Sequence, residues 1–168
     1  WSDGGNWSAG VPVAGQDVAI RGGSGTRLAE ATEELNGFEL TGGSLIFSDW
    51  MAPLRATNVT ISGGVVTCAS DFSEVEPSNR VWIVCQEDFV LSAPGTIDVS
   101  YMGYKGSSGP GKGIDTSYGT GGGHGGRGGM GYLRGGGDYG SLTAPNTPGS
   151  GGGINTENKL PGGSGGGA

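Results

Sequence analysis

Alternating apolar residues followed by glycine-bearing turns recur through the first hundred residues of the chain. Residues two apart are apolar in four segments, which is the pattern of strands with one buried face. The segments are 17–23, 37–43, 58–64 and 88–95. Their turns end at residues 23, 43, 64 and 95, with spacings of 20, 21 and 31. A second alternating stretch follows three of the turns, at 44–47, 65–68 and 96–101.

A recurring spacing of this length combined with the alternation is typical of stacked β-coils, because one coil cannot bury its apolar face alone. Glycine at each corner permits a positive φ and a close approach of backbones. We therefore predict an all-β fold, a short parallel β-helix (β-solenoid) over residues 1–102. A β-sandwich is the alternative, but its strand signals would recur every 8–12 residues. The inward positions are predicted as Val18, Ile20, Phe38, Leu40, Leu45, Phe47, Val59, Ile61, Val81, Ile83, Phe89, Leu91, Ile97 and Val99.

The third spacing is clearly longer than the others. The excess matches residues 71–80, which are polar and contain a proline. Such a composition predicts a loop extruded from one corner of the stack.

Glycine divides the chain into two parts. Of the 40 glycines, 13 lie in residues 1–102 and 27 in residues 103–168. A pure linker needs no regularly placed aromatic residues, whereas Tyr104, Tyr118, Tyr132 and Tyr139 punctuate this part. We predict a long, largely irregular but ordered glycine-rich arm over 103–168, packed on or projecting from the β-helix, with polyproline II-like segments.

Charge and hydropathy exclude some partners. The net charge is −7, made up of −9 in residues 1–102 and +2 in the remainder. An acidic chain without a basic stripe argues against a nucleic-acid partner. No apolar run approaches the ~20 residues of a membrane span. Because the chain opens on Trp1 without a methionine, we expect a processed or excised piece.

Two stretches resemble known secreted proteins. The opening pattern W-x5-W-x-x-G-x-P-x-x-G-x-D-V-x-I, followed by L-x-G-G-x-L-x-F at 40–47, resembles the start of secreted β-helix proteins. It is also similar to the extracellular domain named for its eight conserved glycines. The stretches 95–100, GGGHGGRGG, 139–145 and 149–153 are similar to glycine-rich insertions in large secreted β-helix proteins of bacteria, plants and algae. The resemblance implies an extracellular or cell-surface location and an insertion that leaves and re-enters a β-helix corner.

The cysteines and sequons fit such a location. Cys68 and Cys85 are separated by slightly less than one repeat, so a disulfide between adjacent coils is predicted, with two buried thiols as the alternative. Asn6 and Asn58 begin N-x-S/T triplets and are candidate N-glycosylation sites, although such triplets also occur by chance.

Catalytic, metal and cofactor motifs are missing from the sequence. His124 is the only histidine and has no sequence-adjacent carboxylate, which leaves neither a catalytic triad nor a histidine-rich metal site. The stretch 106–113 lacks the hydroxyl residue of a phosphate loop. We therefore predict no enzyme activity, no metal and no cofactor. The predicted packing or assembly residues are Tyr104, Tyr118, His124, Arg127, Tyr132 and Tyr139.

The resulting functional hypothesis is an extracellular structural protein whose partner is itself, assembled as a filament, fibre or surface-layer subunit. In the proteins that the glycine-rich part resembles, a strand resumes after the insertion, whereas this sequence stops at residues 165–168, where that strand would begin. We therefore expect an uncapped stack, whose open backbone groups can pair with another chain. The alternative is a carbohydrate-binding or polysaccharide-cleaving β-helix module with glycans as partners.

Overall fold

The computed structural model describes residues 1–73, 76–141, 143–144 and 146–168. Contacts within the chain divide it into two units. The first unit comprises Trp1–Ala69 and Asn79–Asp98, and the second comprises Ser70–Ser78 and Val99–Ala168. The predicted boundary at 102 thus lies within the second unit, which also takes in most of the predicted loop at 71–80.

All named strands of the described residues lie in the first unit and form one parallel sheet, so the all-β prediction is confirmed. A single 3-10 helix, Gly4–Asn6, precedes them. The strands are β1 (Asp17–Arg21), β2 (Thr26–Leu28), β3 (Leu35–Phe47), β4 (Leu54–Cys68), β5 (Ile83–Cys85), β6 (Phe89–Leu91) and β7 (Thr96–Ile97).

The strands are arranged as four stacked segments, called rungs here. Rung 1 is β1 and β2, rung 2 is β3, rung 3 is β4, and rung 4 is β5, β6 and β7. Equivalent positions stack in parallel register, so that Val18 pairs with Phe38, Phe38 with Val59, and Val59 with Phe89. The first two steps along this column equal the first two spacings of the sequence repeat, and the third step is longer, as it is in the sequence.

Glycine pairs bend rungs 2 and 3 at equivalent positions along their strands. The register shifts at the glycine pair of each strand. Gly64 has a φ of +71°, and a β-carbon there would lie 2.5 Å from the Gly43 carbonyl oxygen. Both the backbone conformation and the stacking distance therefore require glycine at this corner.

The core lies between the rungs and is closed at rung 1 but open at rung 4. Eight of the predicted inward residues, those of rungs 1 to 3, are buried, and Trp1 and Trp7 pack against this core. In rung 4 the predicted inward residues are not fully buried: Val81 and Ile83 are half-buried and pack against the core, whereas Phe89, Leu91 and Ile97 are 44%, 47% and 38% exposed. Their register partners in rung 3 are fully buried, so the exposure arises because no described residue covers their other side.

The second unit begins with a segment that sequence reasoning took for a solvated loop. Phe72 is buried and meets the ring of Tyr104 edge-on, with centroids 4.8 Å apart. The backbone N–H of Lys105 donates to the Phe72 carbonyl at 2.8 Å, and the Lys105 ammonium lies 3.8 Å from Asp71. Residues 74 and 75 of the predicted loop lie outside the described residues.

The glycine-rich segments of the second unit pack backbone against backbone. Hydrogen bonds join segments far apart in sequence, such as Gly103 N–H to Gly165 O at 2.8 Å and Gly113 N–H to Gly151 O at 3.0 Å. A β-carbon on Gly151 would lie 1.9 Å from the Lys105 carbonyl oxygen. Glycine is therefore what allows these chains to lie so close together.

Candidate functional sites

A cleft of about 630 Å³ lies beside rung 1 and is called the first-rung cleft. One wall is the bend between β1 and β2, and the other is the N-terminal segment with its two tryptophans. The cleft is lined by Trp1, Asn6, Trp7, Ser8, Ala19, Ile20, Arg21, Gly22, Gly23, Ser24, Gly25, Thr26 and Arg27.

The tryptophans of this cleft are held by contacts on their other sides. Their rings meet edge-on with centroids 4.9 Å apart, and the Trp1 ring lies 6.5 Å from that of Phe38. The Trp7 indole N–H donates to the Trp1 carbonyl at 2.7 Å, and the backbone nitrogen of Trp1 donates to the Arg27 carbonyl at 2.7 Å. Both indoles are half-buried, so each keeps part of its surface open to the cleft.

The first-rung cleft has a charge opposite to that of its surroundings. Residues 1–102 carry 13 acids and 4 bases, yet two of the bases, Arg21 and Arg27, line the cleft and none of the acids does. Both arginines are exposed, and neither guanidinium makes an ion pair or hydrogen bond with any described residue. The sequence analysis did not predict this cleft, because the spacing of Arg21 and Arg27 does not show that the bend between β1 and β2 places both of them beside the tryptophans.

The other end of the stack carries an exposed apolar surface, called the open face. It consists of the side chains of Phe89, Leu91 and Ile97 on rung 4, each at least 38% exposed. Three acidic residues, Glu87, Asp88 and Asp98, flank it on the same rung.

Arg80 is held between two tryptophans where the chain re-enters the first unit. Its guanidinium carbon lies 4.6 Å from the Trp50 ring centroid and 4.0 Å from that of Trp82. Its Nε also donates to the Trp50 carbonyl at 2.9 Å, and burial lowers the Arg80 pKa from its ordinary value. Sequence reasoning missed this clamp, because Trp50 is separated from Arg80 by the whole of rung 3.

The predicted assembly residues separate into internal and external groups. Tyr104 is buried against Phe72, and burial raises the pKa of its hydroxyl. Tyr139 is half-buried; its hydroxyl donates to the Pro148 carbonyl and accepts from Ser150 Oγ at 3.0 Å. These two tyrosines pack within the second unit.

His124 also belongs to the internal group, whereas three of the predicted residues are external. The His124 ring meets Tyr139 edge-on at 5.0 Å, and its Nε2 lies 2.9 Å from Thr147 Oγ1. Arg127 is exposed, Tyr118 is 68% exposed and Tyr132 is 82% exposed. Only these last three are accessible to another molecule.

The predicted disulfide is not formed, because both cysteines are free thiols in the structure. Cys68 stacks on Phe47, whereas Cys85 stacks on Ala56, which lies near the opposite end of β4 from Cys68. Cys68 is buried, and burial raises its thiol pKa to about 11. The half-buried Cys85 donates its S–H to the carbonyls of Thr57 and Asp88.

The candidate glycosylation sites differ in accessibility. Asn6 is exposed in the 3-10 helix and lines the first-rung cleft. Asn58 is half-buried on β4, and its side-chain oxygen accepts the Asp88 backbone N–H at 3.2 Å. Both asparagines stay predicted sites, with Asn6 the more accessible.

Metal-binding groups and membrane-spanning helices were sought among the described residues. In this part of the chain, no three histidine, cysteine or acidic side chains are grouped as they would be around a metal ion. The same residues contain no helix of the length and apolarity needed to cross a membrane.

Comparison with models of known protein families, with curated proteins and with solved structures finds no match for this chain. The candidate functional sites of the chain are therefore the two ends of the stacked strands, the first-rung cleft and the open face.

Proposed function

We propose that the first unit is a short parallel β-helix and that the chain is an extracellular structural protein that self-associates. The strands support the β-helix, since parallel pairs repeat at nearly constant offsets with glycine at equivalent corners. The resemblance of its motifs to secreted β-helix proteins supports the location.

The observation that carries self-association is the open face. Phe89 and Leu91 continue two columns whose other members are buried, yet they are close to half exposed. Monomeric proteins seldom leave apolar side chains of a core column uncovered. No described strand pairs with the outer edge of rung 4, which therefore also offers backbone donors and acceptors. A second copy of the chain covering this face would bury the apolar side chains and pair the backbone donors and acceptors.

Sedimentation velocity and electron microscopy over a wide concentration range test this proposal. The unchanged chain is expected to form oligomers or filaments, and the double variant Phe89→Ser with Leu91→Ser is expected to stay monomeric. Met51→Ser is the matched control, because it removes an exposed apolar side chain of the first unit that is not on rung 4. A chain that remains monomeric at the highest concentration would overturn the proposal.

Carbohydrate binding is the second candidate function. The first-rung cleft favours it, because its volume lies in the range of small-ligand sites and its lining combines two tryptophans with several polar side chains.

A further inference from the structure

We propose that the first-rung cleft binds an acidic saccharide, with the anionic groups of the sugar on Arg21 and Arg27 and the sugar ring against the indoles. The inference rests on carbohydrate binding, the second candidate function, and names its ligand class. The shared chemistry is an anionic group, a carboxylate or a sulfate ester, carried on a sugar ring.

The arginines set the charge of the ligand. Both lie in the cleft, no acidic residue lines it, and no described residue neutralises either guanidinium. Two carboxylates, those of Asp17 and Glu39, share neighbouring grooves with Arg21 outside the cleft; neither forms an ion pair with it, and Asp17 accepts a hydrogen bond from Asn36 at 2.7 Å. A planar guanidinium with all its donors free binds carboxylate or sulfate in two-point fashion.

The remaining lining indicates a sugar rather than a bare ion. Two half-buried indoles offer apolar surface to the C–H face of a sugar ring. Asn6, Ser24 and Thr26 add an amide and two hydroxyls, and none of these side chains is hydrogen-bonded to another described residue. A cleft of about 630 Å³ has room for a sugar unit and part of its neighbours.

Gly22 supplies an independent observation. At the equivalent corners of rungs 2, 3 and 4, a β-carbon on Gly42, Gly63 or Gly95 would lie 2.7 Å or less from a carbonyl oxygen of the preceding rung. At Gly22 it would meet nothing within 4 Å, and the φ of Gly22 is not in the positive region. Neither packing nor backbone conformation requires glycine here, but its absent side chain leaves the cleft open to a ligand.

Isothermal titration with the full chain, made without N-glycans, tests the proposal. The probes are an oligouronate, a sulfated oligosaccharide, a neutral oligosaccharide of equal length, a glutamate oligopeptide, and sodium acetate or sulfate alone. At least one acidic oligosaccharide is expected to bind, more weakly as salt concentration rises. The neutral sugar, the peptide and the simple salts are expected to bind at least about tenfold more weakly, as loss of a charged hydrogen bond implies.

Substitutions then locate the site. Arg21→Gln and Arg27→Gln are each expected to weaken binding about tenfold, since each removes a charged hydrogen bond. Gly22→Val fills the cleft and is expected to abolish binding while the far-ultraviolet circular dichroism stays unchanged; Gly22→Ala is the milder second variant. Arg55→Gln is the matched control, because it makes the same change of charge outside the cleft.

The outcomes distinguish failure of the acidic ligand class from failure of carbohydrate binding as such. Equal binding of neutral and acidic sugars overturns the ligand class and leaves carbohydrate binding standing, whereas no binding of any sugar overturns both. Equal binding of the glutamate peptide identifies a general polyanion surface and overturns the proposal. So does an Arg55→Gln variant that weakens binding as much as Arg21→Gln.

Discussion

Gly63 lies so close to the preceding rung that a β-carbon on it would be 2.2 Å from the carbonyl oxygen of Thr41. Real carbon and oxygen atoms cannot approach to this distance, so any side chain at residue 63 forces two rungs apart. The contact explains why each later corner of the stack contains glycine, whereas rung 1 is free of that requirement at Gly22.

A Gly63→Ala substitution is expected to lower the free energy of unfolding by about 1–3 kcal/mol, the usual cost of overpacking. Urea denaturation followed by circular dichroism measures it. Gly22→Ala is the matched control, since it adds the same methyl group in open space and is expected to leave the midpoint nearly unchanged. Equal midpoints for the two variants would contradict the stacking contact.

In the second unit, the adjacent residues Gly136 and Gly137 also compare a crowded glycine with an open one. A β-carbon on Gly136 would lie 1.9 Å from the Gly111 carbonyl oxygen, whereas one on Gly137 would meet nothing within 4 Å. Gly136→Ala is therefore expected to speed amide hydrogen exchange of the glycine segments by at least about tenfold, and Gly137→Ala to leave it unchanged. Fast exchange in the unsubstituted chain would show that these segments are not packed in solution.

The Arg80 clamp is expected to stabilise the first unit through its planar shape as well as its charge. Arg80→Lys keeps the charge but loses stacking on Trp50 and Trp82 and the bond from Nε to the Trp50 carbonyl. A loss of about 1–2 kcal/mol in the free energy of unfolding is expected. Thermal or urea denaturation measures this loss, and Arg55→Lys is the control variant. Equal losses of unfolding free energy in the two variants would argue against a specific clamp.

Cys68 is expected to make stability depend on alkaline pH. Folding raises its thiol pKa from 9.0 to about 11, so its contribution is present below pH 9 and is lost as the pH rises towards 11. The free energy of unfolding should therefore fall over this range, and less steeply in Cys68→Ala. Some slope remains, because burial also raises the pKa of Tyr104 and Tyr139. An unchanged slope in Cys68→Ala would contradict the assignment.

Thiol alkylation offers a separate check of the free cysteines. Cys85 is half-buried and Cys68 buried, so iodoacetamide should modify Cys85 first and Cys68 only after unfolding. Peptide mass spectrometry reads both sites in one digest. Recovery of a peptide linking Cys68 to Cys85 without reductant would show that the disulfide forms after all.

The alternating pattern predicted the columns of the stack because side-chain direction in a strand has a fixed period of two. Val18, Phe38 and Val59 could therefore be aligned from spacing alone. The exposure of Phe89 could not be predicted from spacing, because it depends on what covers rung 4 rather than on any local sequence pattern.

Contacts between residues far apart in the sequence could not be predicted. The segment containing Phe72 looks polar, and its partner Tyr104 comes only after the whole of rung 4, so no periodic signal links them. The same excursion sets the register of the following strand and places Cys85 on Ala56 instead of near Cys68. The first-rung cleft was missed for a related reason, since Arg21 and Arg27 line the same cleft only because of the bend that joins their strands.

The closed first rung and the open fourth rung give the stack a direction that matches the direction of synthesis. Rung 1 receives its tryptophan cover from residues that precede it in the chain. Each of the next two rungs pairs with the rung immediately before it in sequence, which leaves only a short loop to close. A rung that emerges from the ribosome therefore meets the preceding rung already folded, so folding can proceed step by step during translation.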